Sequence, residues 1–330
     1  MTAAGAWSPW APLPGVPPIE ARVLAETLDG GQAFRWNREG EEGWLGVWSN
    51  CAARVRRSPS GRIEWCAPTA ISPRVAAELP RYFATGVDFT ALADALPHRT
   101  DAHLAACLAD FRGLRILRQP FGETLLGFLC SATKQIVQIK QMLALLAARH
   151  GAEICTVTLA SPPDRRPAAS SNHPATPAPG ARLIHRLPTW PELAAIPEAD
   201  LRACLLGFRA RYISETARFL AAHPGWLEAT EALPYLDAKA HLCALPGVGE
   251  KIADCVLLFG AGKLAAFPVD VWILKAMAQR YGLDDWKPAQ VAQFGRAHFG
   301  PLAGFAQQFL FGYERSASSS NSRPSRQGEK

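Results

Sequence analysis

The residues most able to do chemistry in this chain are Lys251 and Asp270, which lie 19 residues apart. Lys251 follows the turn Gly247-Val248-Gly249 and falls on the first turn of a predicted helix. Gly247 and Gly249 permit a tight turn, and the amide groups that open the helix can then bind a phosphate. An amine can attack an electrophilic carbon, and a carboxylate can stabilise positive charge that develops beside it. Together these features predict chemistry on a nucleotide.

Each of these residues also has a purely structural interpretation. A Gly-x-Gly turn joins helices in many proteins that bind nothing, and Lys251 could be solvated or paired with Asp254. Asp270 follows a Pro-Val dipeptide and would be a good N-cap for the next helix, whatever else it does. The turn, the spacing and the Pro-Val-Asp segment occur together, and this favours the functional interpretation.

The scaffold for these residues is predicted to be an α+β fold of two domains. Residues 1–98 predict an antiparallel β domain, with hairpins over 32–48 and 51–66 and a helix over 76–83. From 99 to 314 the apolar spacing becomes helical and predicts an all-α domain. Its predicted helices include 101–111, 122–132, 191–206, 210–222, 236–243, 270–281, 287–297 and 301–312.

Two segments show no apolar periodicity and are predicted to be disordered. One is an insertion over 161–181 that is rich in Pro, Ser and Ala, and the other is a Ser-rich, charged tail over 315–330. Neither segment is expected to contribute to a core.

The composition favours a globular protein with a polyanionic partner. The chain has 330 residues, of which 48% are hydrophobic, and a formal net charge of +6. It has neither a secretory start nor a run of the roughly 20 apolar residues that span a bilayer. We expect no membrane partner and an intracellular location, in the cytoplasm or nucleoid of a bacterium or the nucleus of a eukaryote. The eight cysteines have no Cys-x-x-Cys spacing, which predicts reduced thiols and no iron–sulfur cluster.

Several motifs in order resemble the helix-hairpin-helix (HhH-GPD) DNA glycosylases, and within them the eukaryotic-type 8-oxoguanine DNA glycosylase/AP lyases. The resemblance runs from about residue 30 to 311 and rests on GGQAFRW at 30–36, LRILRQ at 114–119, FLCS at 128–131, GFRARY at 207–212 and GFAQ at 304–307. It implies a base excision repair enzyme that flips a damaged nucleotide out of duplex DNA. Lys251 would attack C1′ of the deoxyribose, forming a Schiff base that leads to β-elimination, and Asp270 would stabilise the oxocarbenium-like transition state.

The resemblance also implies which residues recognise the base. The carbonyl of Gly31 would accept a hydrogen bond from N7–H, which 8-oxoguanine has and guanine lacks. Gln307 would read the Watson–Crick edge, while Phe311 and Cys255 would stack on the two faces of the base.

The resemblance further implies that Gly247 and Gly249 lie against the DNA backbone. No cofactor is required, although a monovalent or calcium-like cation could be held by the backbone carbonyls of Cys243, Leu245 and Val248. Damaged double-stranded DNA is the expected partner, and the chain is expected to act as a monomer.

The chain departs from the family at residues that contact the opposite strand. Thr133 and Gln138 replace an asparagine and an arginine that read the estranged cytosine, and Phe208 replaces a wedge tyrosine. Arg209 remains as a reader of the opposite base, and Trp272 replaces a phosphate-binding histidine. We therefore expect a weaker preference for the base opposite the lesion.

Two alternatives stay open at this point. The chain could be a helix-hairpin-helix glycosylase for another damaged base, although Lys251 disfavours the alkylated-base type and the absence of cysteines after Cys255 disfavours the endonuclease III type. It could also be a non-catalytic DNA-binding protein, which would need neither Lys251 nor Asp270.

Overall fold

The computed structural model describes residues 5–41, 43–158 and 181–321. An N-terminal antiparallel sheet of five strands is followed by a helical domain, which confirms the predicted α+β class. The strand order is β1-β5-β4-β3-β2. The five strands are β1 (Ala11–Pro12), β2 (Trp36–Glu39), β3 (Gly43–Trp48), β4 (Cys51–Arg57) and β5 (Ile63–Cys66).

Both predicted hairpins are present in the sheet. Trp36 pairs with Gly46 across β2 and β3, and Val55 pairs with Trp65 across β4 and β5. The buried Trp36 donates a hydrogen bond from Nε1 to the hydroxyl of Tyr82 over 3.0 Å. One face of the sheet is thereby anchored to the helix that carries Tyr82.

The helices form the larger part of the molecule, and the predicted helices are found with shifts of a few residues at most of their ends. They are α1 (Ala21–Asp29), α2 (Ser72–Tyr82), α3 (Phe89–Asp94), α4 (Ala102–Asp110), α5 (Phe121–Leu129), α6 (Ile136–His150), α7 (Trp190–Ala195), α8 (Glu198–Leu201), α9 (Arg209–Ala222), α10 (Trp226–Ala232), α11 (Tyr235–Cys243), α12 (Glu250–Phe259), α13 (Val271–Tyr281), α14 (Pro288–Phe299) and α15 (Ala303–Asn321).

The helical domain also contains a β ribbon, so its predicted all-α character is wrong in this detail. β6 (Glu153–Thr158) pairs antiparallel with β7 (Ala181–His185). The ribbon forms because two short segments on either side of the Pro-rich insertion can satisfy each other's backbone groups. Ala181, predicted to be disordered, is the first residue of β7, and 161–180 lie outside the described residues.

Two further predictions are corrected. The predicted helix over 191–206 is broken, because Pro197 cannot continue α7 and the five residues Arg202–Leu206 form a wide turn in which Leu205 adopts φ +65°. The predicted disorder from 315 is wrong for 315–321, because α15 continues to Asn321. Arg315 forms an ion pair with Glu26 of α1, which holds this end of α15 against the body of the protein. Residues 322–330 lie outside the described residues.

A buried segment joins the two domains. Residues 114–117 are all buried, and the Arg115 guanidinium donates to the carbonyls of Phe83 and Ala84 after α2. One contiguous hydrophobic core includes the buried residues of the sheet and of the helical domain. The two domains therefore share one hydrophobic core, which holds the N-terminal domain in a fixed position on the helical domain.

Candidate active site

The turn before α12 has the geometry that its glycines predict. Gly247 has φ +76°, and a Cβ there would lie 2.7 Å from the Tyr212 ring, so glycine is needed both for the conformation and for the close approach. Gly249 is the N-cap of α12 and, lacking a side chain, offers no capping hydrogen bond. The first amide groups of α12 are thus left to bind an anion.

Lys251 lies on the first turn of α12, half-buried against an aromatic wall. Its Nζ is 5.4 Å from the centroid of the Phe128 ring, and Phe128 packs on Phe34 and Phe259. The suggested pairing with Asp254 is wrong, because Asp254 is buried and bonded to Tyr235 over 2.6 Å and Lys239 over 3.0 Å. The amine is therefore not taken up by that carboxylate.

Cys255 lies one turn beyond Lys251 on the same face of α12 and is buried. Burial raises the pKa of its thiol to about 12, and the nearby Lys251 only partly offsets this. Cys255 is thus a neutral thiol beside the amine, suited to packing against a base rather than to nucleophilic attack.

Asp270 is the N-cap of α13, as its position after Pro268-Val269 predicted. Its Oδ1 accepts hydrogen bonds from the amides of Trp272 and Ile273, both over 3.0 Å. Burial raises the pKa of the carboxyl, while these bonds and the charge of Lys251 act in the opposite direction. The carboxylate and the amine of Lys251 thus interact in a partly dehydrated site, where charge stabilisation is strong.

We call the four residues predicted to contact the base the lesion pocket: Gly31, Cys255, Gln307 and Phe311. Gly31 has φ +109°, and a Cβ there would lie 3.4 Å from Ile136 and 3.8 Å from the Phe311 ring. The structure therefore brings Gly31 and Phe311 together. Gln307 lies one turn before Phe311 on α15, is buried, and accepts a hydrogen bond from Gln308 over 2.7 Å.

We call Thr133, Leu205, Phe208 and Arg209 the opposite-strand surface. Phe208 is 52% exposed, which suits a wedge. Arg209 instead is buried and donates to the carbonyl of Ala132 and, over 3.0 Å, to Thr133 Oγ1. In this conformation Arg209 fixes the turn before α6 and does not extend from the surface.

The two remaining departures from the family also have visible roles. Gln138 accepts a hydrogen bond from the Gln135 amide over 3.1 Å and so completes the N-terminal cap of α6. Trp272 lies on the first turn of α13, with the Lys275 amine 6.0 Å from its ring centroid. Neither contact reproduces the function of the residue replaced.

Three further residues of the site were not predicted from the sequence. Phe128 lies in the FLCS segment, but nothing in that segment indicates that it lies beside Lys251. Ile136 is the first residue of α6, and its position beside Gly31 depends on the packing of α6 against the N-terminal domain. Leu205 is 52% exposed because the chain turns sharply there, and no sequence signal predicts that turn.

Two family models match the chain and together include more than two thirds of its residues. The 8-oxoguanine DNA glycosylase N-terminal domain matches 18–125, and the HhH-GPD superfamily base excision DNA repair protein matches 176–298. Lys251 and Asp270 lie within the second match. The chain belongs to the HhH-GPD superfamily. It is of the 8-oxoguanine glycosylase type, since residues 18–125 match the N-terminal domain of those enzymes.

Several relatives resemble this HhH-GPD protein over most of its length. The N-glycosylase/DNA lyase OGG1 of Arabidopsis thaliana is 28% identical over 306 residues, 88% of this chain and 76% of the relative. The N-glycosylase/DNA lyase of Saccharomyces cerevisiae is 29% identical over 78% of this chain and 68% of the relative. The structure of Clostridium acetobutylicum 8-oxoguanine glycosylase/lyase with double-stranded DNA containing cytosine opposite 8-oxoguanine is 28% identical, with a TM-score of 0.76 over 89% of this chain and 92% of that one.

Among the described residues, no group of three or more His, Cys, Asp or Glu side chains is placed to hold a metal ion. Within the same residues, every helix is too short or too polar to span a bilayer.

Proposed function

We propose that this chain is a bifunctional DNA glycosylase and AP lyase of base excision repair that removes 8-oxoguanine from duplex DNA. The observation that carries the proposal is the position of Lys251 on the first turn of α12, where its charge acts on the part-buried carboxyl of Asp270. The buried thiol of Cys255 lies one turn beyond Lys251. A half-buried amine near a carboxylate is suited to attack a carbon that becomes positively charged.

The reaction follows from this arrangement. Lys251, as the free amine, forms a bond to C1′ of the flipped nucleotide while the C1′–N9 bond breaks, and the electron pair leaves with the base. Asp270 stabilises the positive charge that develops on the sugar. Ring opening gives a Schiff base between C1′ and Lys251. Loss of a proton from C2′ then expels the 3′ phosphate by β-elimination, and the strand is cut 3′ to the abasic site.

The lesion pocket supports 8-oxoguanine as the substrate. Phe311 and Cys255 can stack on opposite faces of a purine, and Gln307 can bond its Watson–Crick edge. The left-handed conformation of Gly31 gives its carbonyl a direction that few other residues could produce, and this carbonyl would accept N7–H. The Clostridium relative is named an 8-oxoguanine glycosylase/lyase, which agrees with this substrate. The Arabidopsis and yeast relatives are named N-glycosylase/DNA lyases, which agrees with the type of reaction.

Double-stranded DNA is the proposed partner, bound as a monomer inside the cell. The uncapped start of α12, with Gly247 and Gly249, would hold a phosphate, and the exposed Phe208 would fill the gap that a flipped nucleotide leaves.

No cofactor is required for this chemistry, and a cation would be structural. The carbonyls of Cys243, Leu245 and Val248 would supply the oxygen ligands that hard cations prefer, although the Leu245 carbonyl also accepts a hydrogen bond from the Val248 amide over 3.1 Å. Such an ion would strengthen phosphate binding at the turn. DNA affinity should then differ between potassium and tetramethylammonium at equal ionic strength.

Borohydride trapping tests the proposal. Wild type, Lys251→Gln and the control Lys287→Gln, an exposed lysine before α14, are each incubated with a duplex containing one 8-oxoguanine opposite cytosine. We expect a covalent adduct with wild type and the control, and none with Lys251→Gln.

Other results would redirect the proposal. An adduct on an abasic duplex alone would keep the lyase and indicate a different damaged base. DNA binding without an adduct on either duplex, and unchanged in Lys251→Ala, would favour a non-catalytic binding protein.

A further inference from the structure

The glycine whose carbonyl would recognise the base is followed by a buried glutamine with no role in the proposed chemistry. Gln32 is 1% exposed. Its Nε2 donates to the carbonyl of Arg115 over 2.8 Å, and its Oε1 accepts from the amide of Leu117 over 3.0 Å. Because both ends of the amide are bonded, the side chain has one allowed orientation.

A second glutamine holds the backbone of the same loop. Gln119 donates from Nε2 to the carbonyl of Gln32 over 2.6 Å. Its own amide donates to the carbonyl of Phe259 over 2.8 Å, and Phe259 is the last residue of α12. Gln119 therefore joins the loop of Gly31 to the helix that carries Lys251 and Cys255.

The segment 114–119 is itself held in place, so it can fix the position of the Gly31 loop relative to α12. Arg115 is bonded to the carbonyls of Phe83 and Ala84, and the amide of Arg118 donates to the carbonyl of Tyr82 over 2.8 Å. The motif LRILRQ thus ties the loop of Gly31, the end of α2 and the end of α12 into one unit. The chemistry proposed above gave this motif no function.

We propose that Gln32 and Gln119 are positioning residues that hold the Gly31 carbonyl at a fixed place relative to α12, and so set the discrimination between 8-oxoguanine and guanine. The inference rests on the proposed function. The carbonyl direction matters because a hydrogen bond weakens steeply when its angle or length departs from the optimum. Strand cleavage at a pre-formed abasic site needs Lys251 but no base, so it should not depend on these glutamines.

The test compares the two activities in the same variants. Gln119→Met keeps the length of the side chain and removes the donor, and Gln293→Met, an exposed position on α14, is the matched control. Excision of 8-oxoguanine under single-turnover conditions should fall about three- to tenfold in Gln119→Met, the effect of one neutral hydrogen bond. Cleavage of an abasic duplex should stay within about twofold of wild type, because that hydrogen bond orients only the base-recognition loop.

An analogue substrate ties the effect to N7–H. In 8-oxo-7-deazaguanine a carbon replaces N7, so the base cannot donate to the Gly31 carbonyl. Wild type should excise 8-oxoguanine faster than the analogue, and the ratio of the two rates should shrink in Gln119→Met. A fully structural role would leave that ratio unchanged.

Two other results would overturn the inference about Gln32 and Gln119. An equal loss on 8-oxoguanine and on the abasic duplex would overturn the inference, as would full retention of discrimination. Gln32→Met serves as the second variant, with thermal melting to establish that it folds. If wild type cleaves abasic DNA but leaves 8-oxoguanine in place, the substrate assignment itself fails, and this failure is visible without any variant.

Discussion

The lesion pocket and the opposite-strand surface lie in one protein but are constructed differently. In the pocket, Cys255 and Gln307 are buried, and the loop of Gly31 is held by hydrogen bonds of the buried Gln32 and the part-buried Gln119. On the opposite-strand surface, Leu205 and Phe208 are about half exposed. The positions proposed to read the opposite cytosine are occupied by Thr133 and, on α6, by Gln138. From this comparison we predict strong selectivity for the damaged base and a weaker preference for the base opposite it.

The buried state of Arg209 extends this contrast. A basic residue at this place could read the opposite base, yet here its two terminal nitrogens donate to Ala132, Thr133 and Leu206. Releasing it would leave those carbonyl and hydroxyl groups without their partner, at about 1 kcal/mol or more for each bond. Its role in the free protein is to shape the surface.

The largest effect on excision is expected at Asp270, beside the lesion pocket. Asp270→Asn should lower excision of 8-oxoguanine about 10²- to 10³-fold, because the charge that stabilises the transition state is lost. DNA affinity should stay close to that of wild type, as measured by fluorescence anisotropy. Full activity in Asp270→Asn would instead show that Asp270 acts only as a cap, because asparagine caps as well as aspartate.

The raised pKa of Asp270 fixes the sign of two pH effects. Excision by wild type should fall on the acid side at a pH above the ordinary aspartate pKa of about 3.9, because the required carboxylate is protonated earlier. A raised folded-state pKa means that ionisation costs stability at neutral pH, a cost that vanishes below the unfolded-state pKa. Asparagine caps as well as aspartate, so the Tm of Asp270→Asn should equal or slightly exceed that of wild type at pH 7.

A smaller but selective loss is expected at Gly31. Gly31→Ala should lower excision of 8-oxoguanine about 10- to 100-fold, because alanine is strained at φ +109° and the carbonyl direction must change. Gly40→Ala is the control, since Gly40 has φ +66° in the β2–β3 turn with nothing within 4 Å of an added Cβ. Equal losses of excision in the two variants would mean that backbone strain alone lowers the activity. Cleavage of abasic DNA, which needs no base, should stay close to wild type in Gly31→Ala.

On the opposite-strand surface, Phe208→Ala should lower the rate of excision about tenfold, the effect of losing one stacking side chain. Stability should not change, because the ring is half exposed. Trp286→Ala, at another exposed aromatic residue, is the control. An unaltered rate would mean that Leu205 or another residue acts as the wedge.

The smallest effect concerns the base opposite the lesion. Wild type should excise 8-oxoguanine opposite cytosine and opposite adenine at rates within about tenfold of each other, less than one good base-reading pair provides. Combining Thr133→Asn with Gln138→Arg should raise the preference for cytosine about fivefold. Thr133 has φ +55°, which asparagine tolerates well, so the first change should not disturb the turn. A strong preference for cytosine in wild type would contradict the proposed contrast between the lesion pocket and the opposite-strand surface.

Local signals explain why part of this site was predictable. The turn of α12 depends on two glycines, and the start of α13 depends on an aspartate after Pro-Val, so both are decided within a few residues. The two hairpins of the sheet are equally local. Pro197 marks the break after α7 in the sequence. No residue type marks the left-handed conformation of Leu205, which lies in the turn that leads into α9.

The sequence by itself determined the reacting groups, the order of the two domains and the helices and hairpins that carry them, since these depend on residue type and short-range spacing. Only the tertiary structure decided which residues meet. Gly31, Ile136 and Phe311 come from three distant parts of the chain, and the glutamine contacts that fix the Gly31 loop join segments 83 to 87 residues apart. Such contacts form when the N-terminal sheet packs on the helical domain, and no local propensity encodes that packing.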